Sequence, residues 1–219
     1  MSLTTDVLSN LATLGLKQCL ARQESVVVRV VSKNFLALLN GWVDGVEVHG
    51  RGWQSPRGVT CRAIAVRAGA IGVEVGAVLR GQIILRETVQ ATAQLDLNAQ
   101  DFNNFLGSVL LKDTLARLVI DQELLTGLRV EGLQDQQMFL SGIWGAERRD
   151  FVLTAGATGK AVVTGGTPQL AQALQDFLNT LTVDLHGLEL GLDCFSLNQD
   201  ILRLKAKARI WQFPGALSF

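Results

Sequence analysis

Two periods of apolar residues divide the chain into helices and strands. From Ser2 to Arg22 apolar side chains recur every three or four positions, which predicts an N-terminal helix over residues 2–22. From Val26 to Val31 the period becomes two, as in a strand. The clearest alternation runs from Leu85 to Leu97, and at ~3.3 Å per residue it predicts a strand about 43 Å long. Because this is about twice the usual strand length, it predicts a long, curved sheet.

Two further helices carry start signals and apolar stripes. Asn98 with Asp101 three residues later predicts a capped start, and Thr167 before Pro168 predicts another. Such stripes normally pack in a core. However, the strands are rich in alanine, so a curved sheet would leave volume beside the helices that an acyl chain could fill. The stripe residues are therefore the candidate lipid-binding residues: Phe102, Phe105, Leu106, Val109, Leu110, Leu174, Phe177 and Leu178.

The order of the elements predicts the fold class. Groups of strands separate the helices, and no strand–helix–strand units occur, which is typical of an α+β fold with antiparallel sheet. No stretch is long enough and polar enough to serve as a linker between domains. We therefore expect one domain over residues 1–219, with the N-terminal helix at its start.

One predicted strand is strongly basic on one face. Four cations alternate with apolar residues from Leu202 to Ile210, a pattern that suits contact with anionic lipid headgroups. The alternative is a solvated edge strand, on which charge discourages sheet-to-sheet aggregation. A tryptophan between Arg51 and Arg57, on a predicted loop, offers a second contact. The candidate membrane-contact residues are Trp53, Arg203, Lys205, Lys207, Arg209 and Trp211.

Composition excludes several classes of protein. Twenty Lys+Arg balance twenty Asp+Glu among 219 residues, so the chain lacks the basic excess of a nucleic-acid-binding protein. No apolar run approaches the ~20 residues of a membrane-spanning helix, and the first residues do not resemble a signal peptide. We therefore expect a cytoplasmic protein, or one peripheral to a membrane. Three dispersed cysteines predict buried free thiols in a reducing compartment.

Motifs for catalysis or metal binding are missing. His49 and His186 have no second ligand at a suitable spacing, and no G-x-S-x-G elbow is present. The run 156–160 resembles the end of a phosphate-binding loop, but Thr154 and Ala161 occupy the positions that need Gly and Ser or Thr. A bent strand or hairpin is the better interpretation. We expect no enzyme activity, no metal and no cofactor.

Three blocks of sequence resemble the bacterial LmeA-like phospholipid-binding family. Gly41–Val48 resembles its G-x-x-D-x-V-x-V block, and Leu95–Asn103 resembles its strand followed by a T-x-x-D-L-N helix start. Val183–Leu190, followed by Ile201–Ala208, resembles its closing hairpin. The resemblance implies a tubular lipid-binding (TULIP-like) architecture, in which a long curved antiparallel sheet wraps amphipathic helices and leaves a hydrophobic groove. It also implies export, although this sequence shows no signal segment, and it supplies no catalytic motif.

Together these observations predict a non-enzymatic protein that binds phospholipid or a related amphiphile in a hydrophobic groove. Its expected role is lipid transport or membrane and envelope maintenance, with peripheral contact to an anionic membrane. The alternative is an interaction or scaffold protein with a fully packed core, whose surplus apolar surface forms a protein–protein interface. A third interpretation is a hydrolase without a recognisable motif.

Overall fold

In the described residues the fold combines two large open antiparallel sheets, a separate pair of short strands and a few helices. The structure is a computed structural model, which describes residues 3–56, 58–78, 84–109, 111, 115, 119–120, 123–184 and 187–212. The helices are α1 (Leu3–Gln18), α2 (Phe35–Leu39), α3 (Val75–Val78), α4 (Ala99–Leu106) and α5 (Pro168–Thr180). The strands are β1 (Ser25–Val31), β2 (Trp42–Val43), β3 (Gly45–Gln54), β4 (Thr60–Ala68), β5 (Ile71–Gly72), β6 (Val89–Leu97), β7 (Val119–Ile120), β8 (Glu123–Gln134), β9 (Gln137–Trp144), β10 (Glu147–Ala155), β11 (Ala161–Gly165), β12 (Thr182–Asp184), β13 (Leu188–Asn198) and β14 (Ile201–Ile210). The α+β class with antiparallel sheet is confirmed.

The larger sheet has seven strands in the order β1-β3-β4-β6-β14-β13-β12. Its centre joins distant parts of the chain, because β6 pairs with β14 from Val89 beside Ile210 to Leu97 beside Leu202. The smaller sheet has five strands in the order β11-β10-β9-β8-β7. Trp42 and Val43 of β2 form a separate two-stranded pair with β5.

The main core lies where the two sheets meet. Helix α4 contacts β8 of the smaller sheet and β4 and β6 of the larger one, while α5 contacts β11 and β13. Both helices therefore bridge the sheets and bury their apolar stripes between them. The largest side chains with almost no exposed surface are Leu111, Met138, Leu140, Phe151, Leu170, Leu174 and Leu202.

Asparagine side chains attach both bridging helices to strand backbone. The Asn103 amide accepts from Val130 N–H at 2.6 Å and donates to Val130 C=O at 2.9 Å. In the same way, Asn179 accepts from Ala161 N–H at 2.7 Å and donates to Ala161 C=O at 3.0 Å. Each asparagine amide takes the place of a neighbouring strand. The backbone N–H and C=O groups that no strand pairs with are therefore hydrogen-bonded by a helix side chain.

Helix α1 covers the outer edge of β1 in a similar way, using hydroxyl groups. Val28 N–H donates to Thr13 Oγ1 and Val30 N–H to Ser9 Oγ, both at 2.9 Å. The helix ends at Gln18, four residues before the predicted end. It ends there because the following residues turn to pair with β3, and Ala21 N–H donates to Gln54 C=O at 2.9 Å.

Two predictions about strand boundaries are wrong. The predicted strand from Leu85 begins instead at Val89, because Arg86 N–H bonds to Gly72 C=O and draws residues 84–86 towards β5. The predicted loop that carries Trp53 is the end of β3, in which Trp53 pairs with Cys61.

The local signals of the helix starts and the tight turn are confirmed. Asn98 caps α4 in a complete capping box with Asp101, and Thr167 caps α5 with Pro168 in its first turn. The run 156–160 is the turn between β10 and β11, as the hairpin interpretation predicts.

Candidate functional site

An apolar crevice lies at the seam between the two sheets. Its cavity volume is about 20 Å³. Strands β10, β11, β13 and β14 and helices α4 and α5 all contribute to its walls. The lining residues are all hydrophobic: Phe102, Leu153, Ala161, Leu178, Leu181, Leu192, Phe195, Leu202 and Leu204. Such a lining suits hydrocarbon and offers no group that could perform polar chemistry.

A β-bulge shapes one wall of the crevice. The register between β13 and β14 shifts between Leu192 and Cys194, so that Asp193 is the extra residue. Leu192 and Phe195, three positions apart, therefore both reach the crevice instead of facing opposite sides. The β10–β11 turn packs against this bulge, and Gly159 C=O accepts from Phe195 N–H at 2.8 Å.

Glycine is required at the tip of that turn. Gly159 has a φ of +73°, and a Cβ added there would lie 2.3 Å from the Cys194 Sγ. Any other residue would strain the backbone and push the turn away from β13. The close approach of the turn therefore helps to fix the mouth of the crevice.

The structure divides the predicted lipid-binding residues into several groups. Four are buried in the core: Phe102, Leu106, Leu174 and Leu178. Of these, Phe102 and Leu178 line the crevice. Phe105 and Phe177 pack half-buried against the core. Val109 is 68% exposed and points to solvent, whereas Leu110 lies outside the described residues.

Sequence reasoning missed most of the crevice. Leu202 and Leu204 alternate with the basic residues of β14, so their strand face was visible in the sequence but their partners were not. The contribution of Leu192 and Phe195 depends on the bulge, which carries no clear sequence signal. Ala161 and Leu181 line the crevice because of where α5 lies in the fold, which the sequence does not show.

Charged groups lie beside the crevice. A smaller recess shares Leu192 and Phe195 with the crevice and includes Lys160 and Asp193. Lys160 Nζ donates to the Asp193 backbone carbonyl at 3.0 Å, and the Asp193 carboxylate pairs with Lys207 Nζ at 3.0 Å. A polar headgroup at the mouth would therefore meet lysine ammonium groups.

The cations of β14 are mostly matched by acids of the same sheet. Arg203 binds both carboxylate oxygens of Asp96, at 2.7 and 2.8 Å, and this hydrogen bonding raises the pKa of the guanidinium above its ordinary value. Arg209 Nη1 lies 3.9 Å from Glu189 Oε1. Among the described residues, no carboxylate lies within ion-pair distance of Lys205.

The two tryptophans of the predicted membrane-contact set lie at opposite ends of the larger sheet. Trp211, 44% exposed, follows β14 at the end where Ile210 pairs with Val89. Trp53 lies at the other end of the sheet, packs against the core and donates its indole N–H to Ser25 C=O at 3.3 Å. Its ring lies so close to Gly50 that a Cβ there would be 1.8 Å from the indole nitrogen.

The three cysteines are free and separate in space. Cys61 is buried, which together with the nearby Asp101 carboxylate raises the pKa of its thiol to about 11. Cys19 and Cys194 are half-buried, which differs from the prediction of three buried thiols. In the described ranges no group of His, Cys, Asp and Glu could hold a metal ion; His49 is exposed on β3 and His186 lies outside these ranges.

None of the helices in the described part of the chain is both long enough and apolar enough to span a bilayer.

Comparison with known proteins agrees with the apolar character of the site. The sequence model of the LmeA-like phospholipid-binding family matches residues 2–206, nearly the whole chain. Comparisons with curated proteins and with solved structures give no significant match. The match includes every residue that lines the crevice. The chain therefore belongs to the LmeA-like phospholipid-binding family.

Proposed function

We propose that the protein binds a phospholipid or a related amphiphile, with acyl chain in the crevice between the two sheets. The wholly apolar lining carries the proposal, and membership of a phospholipid-binding family supports it. The proposed role is non-enzymatic, in lipid transport or in maintenance of a membrane or envelope. We propose peripheral contact with an anionic membrane as part of that role.

The size of the crevice limits how much lipid enters this conformation. Its cavity volume in this conformation is about 20 Å³, far below the ~300–1,000 Å³ range of ligand pockets. Even one segment of acyl chain therefore requires the helices and sheets to separate, and a two-chain lipid requires them to separate further. We propose that α4 and α5 move with respect to the larger sheet, which would then bend around them in the TULIP-like manner.

Once the crevice has opened, burial of hydrocarbon would favour binding. Each methylene removed from water contributes roughly 0.8 kcal/mol, so ten methylenes would contribute about 8 kcal/mol before the entropic cost of association. The apolar crevice adds no desolvation cost for polar groups. A headgroup would remain at the mouth, near Lys160 and Lys207.

Native mass spectrometry of the purified protein, followed by extraction and identification of lipid, tests the proposal. We expect a bound lipid in stoichiometric amount. Leu204→Asp, which places a carboxylate in the crevice, is expected to lose the lipid. Leu192→Trp, which fills the space without adding charge, is expected to have the same effect.

A matched control shows whether the carboxylate must lie in the crevice to have this effect. Val162 follows the crevice residue Ala161, but its side chain is 38% exposed on the other face of β11. Val162→Asp is therefore expected to retain the lipid. An apo protein that takes up no lipid from vesicles, or crevice variants that retain lipid as well as the control does, would contradict the proposal.

A second candidate function is an interaction or scaffold role. The observation in its favour is the tight packing beside the crevice, where Leu170 and Leu174 have no exposed surface. A stable dimer that contains no lipid would favour this role.

A further inference from the structure

The crevice is nearly closed in this structure, so a ligand can enter only where the two sheets separate. Strands β10 and β11 of the smaller sheet lie on one side of it, and strands β13 and β14 of the larger sheet lie on the other. Helix α4, the chain that leaves α5, and the turn between β10 and β11 all connect the two sheets around it. The bonds of these three connections show which of them can open.

Helix α4 holds one side of the crevice firmly, because its polar side chains bond to both sheets. Asn103 makes two hydrogen bonds to the backbone of Val130 in β8 of the smaller sheet. On the larger sheet, Thr60 Oγ1 at the start of β4 donates to Asp101 Oδ1 at 2.6 Å and accepts from Asn104 Nδ2 at 3.0 Å. Helix α4 is therefore fixed to both sheets on the side where β4 and β8 lie.

The β10–β11 turn lies on the opposite side of the crevice from these bonds. In the larger sheet, β13 is three strands away from β4, a separation of about 14 Å at ~4.8 Å per strand. In the smaller sheet, β11 is likewise three strands away from β8. The sheets can therefore separate at the turn while α4 keeps them together as a pivot.

The turn is joined to the larger sheet by two hydrogen bonds among the described residues. Phe195 N–H donates to Gly159 C=O at 2.8 Å. Lys160 Nζ donates to Asp193 C=O at 3.0 Å. Both bonds meet β13 along the edge that β12 leaves unpaired, because β12 pairs with residues 189–191. Lys160 is exposed, so water can replace its bond to β13 when the turn moves.

These two bonds lie directly beside the crevice. Phe195, which donates one of them, lines the crevice, and Lys160 is followed by the lining residue Ala161. The other side of the contact is fixed, because the carboxylate of the bulge residue Asp193 pairs with Lys207 of β14 at 3.0 Å. The bulge therefore stays with the larger sheet, and the turn is the part that can leave.

The chain that leaves α5 limits how far this edge opens. Leu181, the residue after α5, accepts from Leu192 N–H at 3.0 Å and leads directly into β12 of the larger sheet. This connection is covalent as well as hydrogen-bonded, so it stays in place when the turn leaves β13. The opening therefore begins beside Phe195, beyond Leu192 along β13.

We propose that the β10–β11 turn, residues 156–160, is the gate of the crevice. The turn leaves the bulge of β13 to let an acyl chain enter or depart, and it returns to close the crevice. This inference rests on the proposed function and adds to it the route of the ligand and the step that controls the rate. The movement of α4 and α5 with respect to the larger sheet follows release of the turn.

Stopped-flow uptake of cis-parinaric acid, a fatty acid that fluoresces in apolar surroundings, tests the gate on the full chain after bound lipid is removed. Lys160→Met removes one of the two bonds, so we expect uptake and release each to become about fivefold faster, with Kd changed by less than about twofold. Gly159→Val forces the turn away from the Cys194 side chain and is expected to increase both rates further. A residue that only formed a wall of the crevice would change Kd instead.

Two control variants match the two gate variants. Thr158→Ala changes the neighbouring exposed residue of the same turn, and Lys17→Met removes an exposed lysine charge on α1. Both controls are expected to take up and release the fatty acid at the original rates. If Gly159→Val does not fold, Lys160→Met decides the test alone, because its side chain is exposed.

Hydrogen exchange of single amides, followed by NMR, reports on the turn without any ligand. In Lys160→Met the Phe195 N–H, which bonds to the turn, is expected to exchange about fivefold faster. The Leu192 N–H, which bonds to Leu181 instead, is expected to exchange at the original rate in the same sample. This comparison separates release of the turn from a general loss of stability.

Three results would overturn the gate while leaving binding in the crevice intact. These are uptake at the original rate in both gate variants, equal acceleration in the controls, and unchanged exchange of the Phe195 N–H in both gate variants. Absence of cis-parinaric acid binding in every form, including the original protein, would instead contradict the proposed function, and the gate with it.

Discussion

The attachment of α5 to β11 through Asn179 gives the sharpest test of the structural reasoning. Asn179→Ala removes two hydrogen bonds, of 2.7 and 3.0 Å, to the backbone of Ala161. Ala161 is only 3% exposed, so water does not readily replace them. Each lost bond costs about 1 kcal/mol, and more where the backbone group stays unsatisfied, while alanine recovers about 0.5 kcal/mol of helix propensity.

We therefore expect a loss of about 2 kcal/mol in the free energy of unfolding. For a chain of this length the loss corresponds to a decrease in Tm of about 4–8 °C. Urea denaturation followed by circular dichroism measures it, and an unchanged m value would show that the change is in stability. Gln172→Ala on the exposed side of α5, where Gln172 bonds to Asp176, is the control and is expected to change stability by less than about 0.5 kcal/mol.

Asn179→Asp separates the two hydrogen bonds. An aspartate can still accept from Ala161 N–H but cannot donate to its carbonyl oxygen. We expect its stability to be no higher than that of the original protein. If Asn179→Ala lowers the free energy of unfolding no more than Gln172→Ala does, the Asn179 side chain does not hold α5 to β11.

Three further predictions concern titration and packing. Burial raises the pKa of the Cys61 thiol to about 11. The contribution of this thiol to the free energy of unfolding is therefore complete below the ordinary thiol pKa of ~8.5 and is lost as pH rises towards 11. Urea denaturation at several pH values should show this decrease in stability, and the decrease should be smaller in Cys61→Ala. The Glu131 carboxyl accepts hydrogen bonds from Ser141, which has the larger effect, and from Arg129, so its pKa lies below the ordinary value. NMR titration should show a higher pKa for Glu131 in Ser141→Ala. An unchanged titration midpoint would count against the Ser141 bond. Gly50→Ala should displace the Trp53 ring and shift its fluorescence to the red, whereas no shift would mean that the ring does not rest on Gly50.

The sequence predicted those features that depend on neighbouring residues. Both helix starts were visible because an N-cap side chain bonds to backbone two or three residues away. The turn at residues 156–160 was visible for a similar reason, since glycine and the alternation on either side act locally. The predicted start of β6 was wrong because residues 84–86 pair with residues 72–74, a competition that alternation alone cannot reveal.

The candidate site was only partly predictable. Phe102 and Leu178 were identified from their helical stripes, but the same periodicity applies to Leu174, which is fully buried beside the crevice. Periodicity shows that a side chain faces inward and does not show whether space remains in front of it. The sequence did not predict the ion pairs either, because Asp96 lies beside Arg203 only through the pairing of β6 with β14.

Residue patterns were enough to predict the antiparallel α+β class, the capped helices and the family, because these follow from local bonding and from the order of residue types. Tertiary structure alone decided which apolar side chains remain accessible. Hydroxyl groups on one face of α1 bond to the edge of β1, and this turns Val7 and Leu11 outward against the usual rule for an amphipathic helix. The bulge at Asp193 and the amide of Asn179 position two walls of the crevice, and both depend on partners brought together only by folding.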